Sequence, residues 1–188
     1  DTTVADAYLS PTLRHYVEQV SDNVGNSRVL FMQSNGGLTD AHRFRGKDSI
    51  LSGPAGGVVG MVSVATSAGF DKVIGFDMGG TSSDISLIVG GEATLSADRS
   101  IANESIALPS LDIITLGAGG GSIGRIESGE LLKVGPQSAG AIPGPACYGK
   151  KGELATVTDA SVVLGNVDTE NFLGGSSKLD KKAAERVL

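Results

Sequence analysis

The segment Ile74-Gly75-Phe76-Asp77-Met78-Gly79-Gly80-Thr81-Ser82-Ser83-Asp84 gathers two acids, a glycine pair and three hydroxyls within a few residues. Residues 72–76 read as a buried strand that delivers Asp77 at its end. Gly79 and Gly80 let backbone N–H groups approach an anion with no Cβ in the way, and Thr81 and Ser82 add hydroxyl donors. Residues 85–89 read as a second strand, so the loop is a hairpin and not the strand-to-helix phosphate loop, whose Lys-Ser/Thr signature is missing. Such a hairpin suits phosphate, with Asp77 or Asp84 holding Mg²⁺ through water. The competing reading is a glycine-rich hairpin with a capping Asp.

Other constellations are weaker. Gly119, Gly121 and Gly124 satisfy G-x-G-x-x-G after a strand, but a dinucleotide site needs a helix next, and Arg125 to Glu130 reads as a turn between strands. Gly117 to Ser122 is therefore a close-packed turn, either beside a ligand cleft, with Gly119, Gly120 and Gly121 near the cofactor, or purely structural. Ser52 to Gly57 opens a helix, where free N–H groups at Gly53, Gly56 and Gly57 favour an anion; small residues for tight helix–sheet packing are the equal alternative. Asn35 either brings a carboxamide to a substrate or only turns the chain. Cys147 reads as a small buried residue in preference to a metal ligand or reactive thiol. His15 and His42 read as surface residues, and Asp159 and Asp112 are open between a cleft and a structural role. No Cys/His spacing builds a zinc site and no Ser–His–Asp set is evident.

The elements that must position these residues follow from periodicity and punctuation. A helix is expected from Pro11 to about Val20, with Ser10 as N-cap. Residues 28–33 form a strand, Asn35-Gly36-Gly37 a turn, and residues 58–68 a buried helix ended by Gly69. Gly90-Gly91 turns into residues 92–97. Residues 111–116 form a strand, and residues 123–127 and 131–134 a hairpin around Ser128-Gly129. Residues 135–152 are mostly loop. Thr158-Asp159 caps a helix to about Leu164, and the last helix starts near Ser177. The mixture predicts an α/β (α+β) fold with one mixed sheet, hairpins and flanking helices.

Composition narrows the function. Of 188 residues, 28 are glycine, about twice the usual share of about 7%. Disorder and collagen are excluded by the 40% hydrophobic content, 6 prolines and absence of a Gly-X-Y period. A net charge of −6 removes the basic footprint of a nucleic-acid binder. No apolar run is long enough to span a membrane, no signal peptide is visible, and one cysteine cannot form an internal disulfide, so a cytoplasmic protein is expected. The chain lacks an initial Met and stops inside a helix former. We therefore expect one domain over residues 1–188 that is a fragment of a longer polypeptide.

The Asp77-to-Asp84 loop resembles the phosphate-binding hairpin of the hexokinase–actin ATPase superfamily. The resemblance is closer to the hydantoinase A/5-oxoprolinase family. It is carried by Ala7 to Pro11, Met32 to Leu38, Ser52 to Gly60, Asp77 to Asp84, Gly117 to Ile123, Val134 to Gly140, Pro143 to Gly149 and Val157 to Ala160, almost from end to end. Small departures are Ser83, where Thr is more usual, and His42 in a variable stretch. The resemblance implies an actin-like (ribonuclease H-like) ATPase lobe and ATP-dependent opening of cyclic amides such as hydantoins or 5-oxoproline. ATP is implied to phosphorylate a substrate oxygen. Asp77 to Asp84 would be the second phosphate hairpin, since neither the first hairpin nor the adenosine segment is present. Asp77 and Asp84 are the implied catalytic pair. Asp77 would position Mg²⁺ or the attacking group; Gly79, Gly80, Thr81 and Ser82 would bind the β- and γ-phosphates, and Asp84 would support metal or hairpin geometry. Implied partners are the missing N- and C-terminal parts of the chain and a hydantoinase B-like subunit; the isolated fragment would be inactive. The alternatives are an ATP-driven activator module and an ATP-dependent ketone carboxylase subunit of the same family.

Overall fold

A computed structural model describes residues 1–25, 27–101 and 104–188. The chain divides into two compact units, each discontinuous in sequence: residues 1–75 with 85–114, and residues 76–84 with 115–188.

The first unit opens with α1 (Thr2–Asn23), which runs through Pro11 where a helix start was expected. Proline costs a mid-helix hydrogen bond and crowds the preceding turn, but here that turn is held from outside. The Asp6 carboxylate accepts from Lys47 N–H at 3.0 Å, and Gly46 N–H donates to Ser10 Oγ at 3.2 Å. Ser10 thus serves a tertiary contact, not a cap. Next come the hairpin β1 (Leu30–Met32) and β2 (Leu38–Asp40), the short α2 (Gly46–Ser49) and α3 (Ser52–Ser67). Buried Ser34 ties these together: its Oγ donates to Asp48 O at 2.7 Å and accepts from Leu51 N–H at 3.0 Å. Ala55 and Val58 of α3 form the core with Leu111 and Ile113, against Met32 and Ala93.

Strand β3 (Lys72–Met78) lies beside β4 (Ser83–Val89), which pairs with β5 (Glu92–Ala93) and β8 (Ile113–Leu116). The long strands β6 (Leu95–Ile101) and β7 (Glu104–Leu111) form their own antiparallel ribbon, Leu95 opposite Leu111. In place of one mixed sheet, the described residues form four small sheets, three of them two-stranded. The β6–β7 ribbon shifts register between Ser96 and Asp98, and a bulge of this kind bends and twists the pair locally.

The second unit carries β9 (Ser122–Glu127) and β10 (Leu131–Ser138), the expected hairpin around Ser128-Gly129, with Leu131 opposite Glu127. Pro136 interrupts this ladder, whose register shifts between Val134 and Ser138. Helix α4 (Val157–Val163) is capped by Thr156, two residues before the expected position, and α5 (Lys181–Val187) by Asp180. Cys147, Val162, Leu179 and Ala184 make the second core, flanked by Tyr148 and Phe172 with ring centroids 5.6 Å apart.

Candidate functional site

The hairpin tip Gly79–Ser82 belongs to the second unit, as does the glycine turn that follows β8. The tip is closed by Gly79 N–H donating to Ser82 O at 2.8 Å. Gly79 therefore has no free amide for a ligand, and its part is to form the turn. The carbonyls of Gly79 and Gly80 accept from Gly120 N–H at 2.9 Å and Gly121 N–H at 2.6 Å. In a trans peptide C=O and N–H point in opposite directions, and both peptides here are trans. Tying those two carbonyls into the turn thus aims the N–H groups of Gly80 and Thr81 away from it. Among the described residues no acceptor takes these N–H groups or that of Ser82. A Cβ built on Gly80 would meet nothing within 4 Å. The tip offers outward amide donors that no described group accepts from, an arrangement that suits an anion.

Asp77 and Thr81 are exposed, and Ser82 and Asp84 half-buried. Asp84 Oδ1 accepts from Thr115 Oγ1 at 2.6 Å, which fixes that carboxylate at the base of the hairpin. Buried Ser83 donates from Oγ to Ala118 O at 2.6 Å. Among the described residues no three metal-ligating side chains cluster. Asp77 as a single carboxylate is nonetheless the donor set Mg²⁺ uses when phosphate oxygens and water complete its shell.

Gly119, Gly120 and Gly121 face the hairpin, but their amides are engaged: Gly119 N–H donates to Ser122 Oγ at 2.9 Å, and the other two hold Gly79 and Gly80. Of the two readings open for this turn, beside a ligand cleft or purely structural, either is compatible with these bonds, but none of the three amides is free to donate to a cofactor. Their lack of a side chain is required by closeness: a Cβ at Gly119 would lie 2.7 Å from Gly79 O, and one at Gly121 2.8 Å from Gly80 O. The turn leads directly into strand β9.

Gly53, Gly56 and Gly57 lie in the first unit within α3. Ala55 N–H already closes the first helical bond onto Leu51 O at 3.0 Å, so Gly56 and Gly57 sit past the turn whose amides are free. Only Ser52 and Gly53 retain end donors, since Pro54 has none. The alternative of tight helix–sheet packing is not met at Gly53, which has nothing within 4 Å of a built Cβ, or at Gly56, whose nearest neighbour is Met32 Cγ at 3.9 Å.

The remaining candidates have local occupations. Asn35 Oδ1 accepts from Gly37 N–H at 2.8 Å, forming a turn. Asp112 pairs with Arg99 at 2.9 Å. His15 and His42 are exposed. Cys147 is fully buried, and burial, reinforced by Asp159 beside it, pushes its thiol up to about 12, so it is held neutral and unreactive. Asp159 is fully buried and accepts four hydrogen bonds, from Ala146 N–H, Cys147 N–H, Thr156 N–H and Thr156 Oγ1. Thr158, read from sequence only as a cap, donates both N–H and Oγ1–H to Gly120 O at 2.8 Å. Its Thr-Asp neighbours made a helix start legible; no local signal showed that its hydroxyl reaches the glycine turn.

The family model described as hydantoinase/oxoprolinase matches residues 1–188. The chain is 44% identical to caprolactamase subunit alpha of Pseudomonas jessenii over 97% of its length, spanning 27% of that subunit. It is 47% identical to 5-oxoprolinase 1 of Arabidopsis thaliana over 91% of its length, spanning 14% of that protein. The crystal structure of the ATP-dependent caprolactamase matches 99% of the chain with a TM-score of 0.79, the chain covering 28% of it. A nucleotide-free acetone carboxylase, an enzyme of ATP-dependent acetone carboxylation, matches 93% of the chain at 31% identity and a TM-score of 0.75, the chain covering 25% of it. This chain spans well under a third of each of these proteins and belongs to the hydantoinase/oxoprolinase family.

Proposed function

We propose that the chain is the central part of an ATP-dependent enzyme that opens cyclic amides, and that residues 77–84 are its second phosphate-binding hairpin. The observation that carries this reading is the sorting of polarity at the tip, where the Gly79 and Gly80 carbonyls are tied back and the Gly80 and Thr81 amides are aimed outward. The names of the relatives, caprolactamase and 5-oxoprolinase, supply the substrate class. ATP, when bound, would supply a phosphoryl group to the substrate's amide oxygen with release of ADP; water would then add to the ring carbonyl carbon, the C–N bond would break with the proton going to the ring nitrogen, and phosphate would leave by reaction with a second water. The Gly80 and Thr81 amides with the Thr81 and Ser82 hydroxyls bind the β- and γ-phosphates, and Asp77 holds Mg²⁺. Asp84, held by Thr115, keeps the hairpin base in place. The amide donors of Ser52 and Gly53 are the part of the α3 segment available to an anion.

The rest of the polypeptide supplies the opposing phosphate and adenosine contacts, and a second subunit accompanies it, as the designation "subunit alpha" of the caprolactamase suggests. We place the protein in the cytoplasm, where buried Cys147 would persist as a free thiol; among the described residues no helix is long and apolar enough to cross a membrane. A second reading, ATP-dependent carboxylation of a ketone, is favoured by the likeness to acetone carboxylase.

The test is product analysis with the full-length protein, Mg²⁺ and ATP, offered 5-oxoproline, caprolactam, or acetone with bicarbonate. Ring opening with ATP consumption supports the first reading, and carboxylate formation from acetone the second. Gly80→Ala should keep the fold, since its Cβ would meet nothing within 4 Å. ATP hydrolysis left intact by Asp77→Asn would show that the hairpin has been misassigned.

A further inference from the structure

We propose that the Gly117–Ser122 turn, held by Thr158 and Ser83, is the device that aims the anion-binding amides of the hairpin. This rests on the phosphate-hairpin reading and adds to it a set of positioning residues that never touch nucleotide. The hairpin tip has no buried side chain of its own to stiffen it: Asp77, Gly79, Gly80 and Thr81 are exposed. Its orientation is set from the other side. Gly120 N–H and Gly121 N–H grip the Gly79 and Gly80 carbonyls, and the planar trans peptides convert that grip into the direction of the Gly80 and Thr81 N–H groups.

The turn is itself fixed at both flanks. The Gly120 carbonyl accepts twice from Thr158, through N–H and Oγ1–H, both at 2.8 Å. Thr158 lies in the first turn of α4, next to fully buried Asp159. At the other flank Ser83, at the hairpin's return strand, reaches Ala118 O at 2.6 Å. Inside the turn Ser122 closes onto Gly119, accepting its N–H at Oγ and donating its own N–H to Gly119 O at 3.0 Å. Gly119 and Gly121 permit backbone-on-backbone approach: none has a positive φ, and the clash distances of 2.7–2.8 Å to Gly79 and Gly80 oxygens are to atoms of the hairpin itself. A relay therefore runs from the α4 cap through Thr158, Gly120 and Gly79 to the Gly80 amide.

The experiment measures binding of the non-hydrolysable analogue AMP-PNP with Mg²⁺ to the full-length protein, in the wild type and in Asp77→Asn, Ser83→Ala, Thr158→Val and Thr158→Ser. Losing one neutral hydrogen bond of the relay should weaken AMP-PNP about tenfold in Ser83→Ala and in Thr158→Val. Thr158→Ser retains the hydroxyl and should bind as the wild type does, a rescue that a loss of packing alone would not give. If Asp77→Asn weakens binding while Ser83→Ala and Thr158→Val bind within twofold of wild type, the positioning role is refuted and the hairpin reading stands. Failure of Thr158→Ser to restore binding also refutes it. If Asp77→Asn binds normally, the hairpin reading falls and this inference with it. Should Thr158→Val fail to fold, Ser83→Ala decides.

Discussion

Asp159→Asn tests how firmly the second unit is built around one buried carboxylate. Oδ1 accepts from Cys147 N–H at 2.8 Å; Oδ2 accepts from Ala146 N–H at 3.3 Å, Thr156 N–H at 3.1 Å and Thr156 Oγ1 at 2.7 Å. An amide offers one oxygen in place of two, and its NH₂ faces donors whichever way it is turned. With the oxygen at the Oδ2 position, Cys147 N–H is left buried and unpaired, costing about 1–3 kcal/mol, and the surviving bonds weaken from charge-assisted to neutral for about 1 kcal/mol more. A total of about 3 kcal/mol corresponds to roughly a hundredfold faster exchange of the protected amides through local opening. Hydrogen exchange on the full-length protein reads this in peptides covering residues 144–160. Because Thr158 follows the same cap and holds Gly120, the glycine turn should also exchange faster. Asp168→Asn is the comparator: that carboxylate also collects several bonds, from Asn171 and Glu170, but is exposed, so its segment should change little. Acceleration below threefold at residues 144–160 would refute the reasoning.

Four further outcomes are expected. Cys147, held neutral by burial with its thiol pushed up to about 12, should resist iodoacetamide at pH 8 in the native protein and react once denaturant is added; prompt native alkylation would contradict its burial. The Lys47 N–H donated to Asp6, helped by Ser10, lowers the Asp6 carboxyl below its usual range, so its contribution is present above the unfolded value near 3.8 and is lost as pH falls through the folded value. Asp6→Asn should therefore lower stability at pH 7 by up to about 1 kcal/mol, solvent-screened as the group is, with the difference from wild type vanishing in acid titrations. Gly46→Ala places a Cβ 2.7 Å from Leu9 Cβ and 2.8 Å from Ser10 N, and should cost about 1–3 kcal/mol, read as faster exchange in residues 2–12. Chelating divalent metal with EDTA should weaken ATP binding at least about tenfold; undiminished binding would remove the role given to Asp77.

What the sequence revealed and hid divides by distance along the chain. The hairpin at 77–84 was legible because its parts are contiguous: an apolar strand, the Gly79-Gly80 pair, and a second strand starting at Ser83. The β9–β10 hairpin was legible through Ser128-Gly129 for the same reason. The α4 cap was misplaced by two residues although Thr156 and Asp159 form a capping box at the expected spacing; the adjacent Thr158 offered an equally good local candidate. Pro11 misled because the contacts that keep residues 2–10 helical come from Gly46 and Lys47, more than thirty positions away. Gly119 to Gly121 read as a close-packed turn with no partner named, because nothing local shows that the Gly120 and Gly121 amides are spent on Gly79 and Gly80. The residue types were right for a close backbone approach, and the partner was a loop forty residues earlier.

The charges around the hairpin explain why its amides have to be aimed so carefully. Residues 76–84 contain two carboxylates, Asp77 and Asp84, and no lysine or arginine, and residues 115–124 contain no charged side chain at all. A phosphate approaching the tip meets net negative charge and has only peptide dipoles and hydroxyls to attract it. Each such donor is worth little unless its carbonyl end is turned away, because a misoriented peptide presents its oxygen to the anion. At Gly79 and Gly80 that orientation is enforced by hydrogen bonds of 2.9 and 2.6 Å, so little reorganisation remains when charge arrives. On the proposed phosphate-hairpin reading the carboxylates would work in favour of binding only when a cation accompanies the phosphate, which would tie anion capture at the tip to a metal held at Asp77. On that reading, selectivity for metal-bound nucleotide over free phosphate would follow from the absence of basic residues as much as from the presence of glycine.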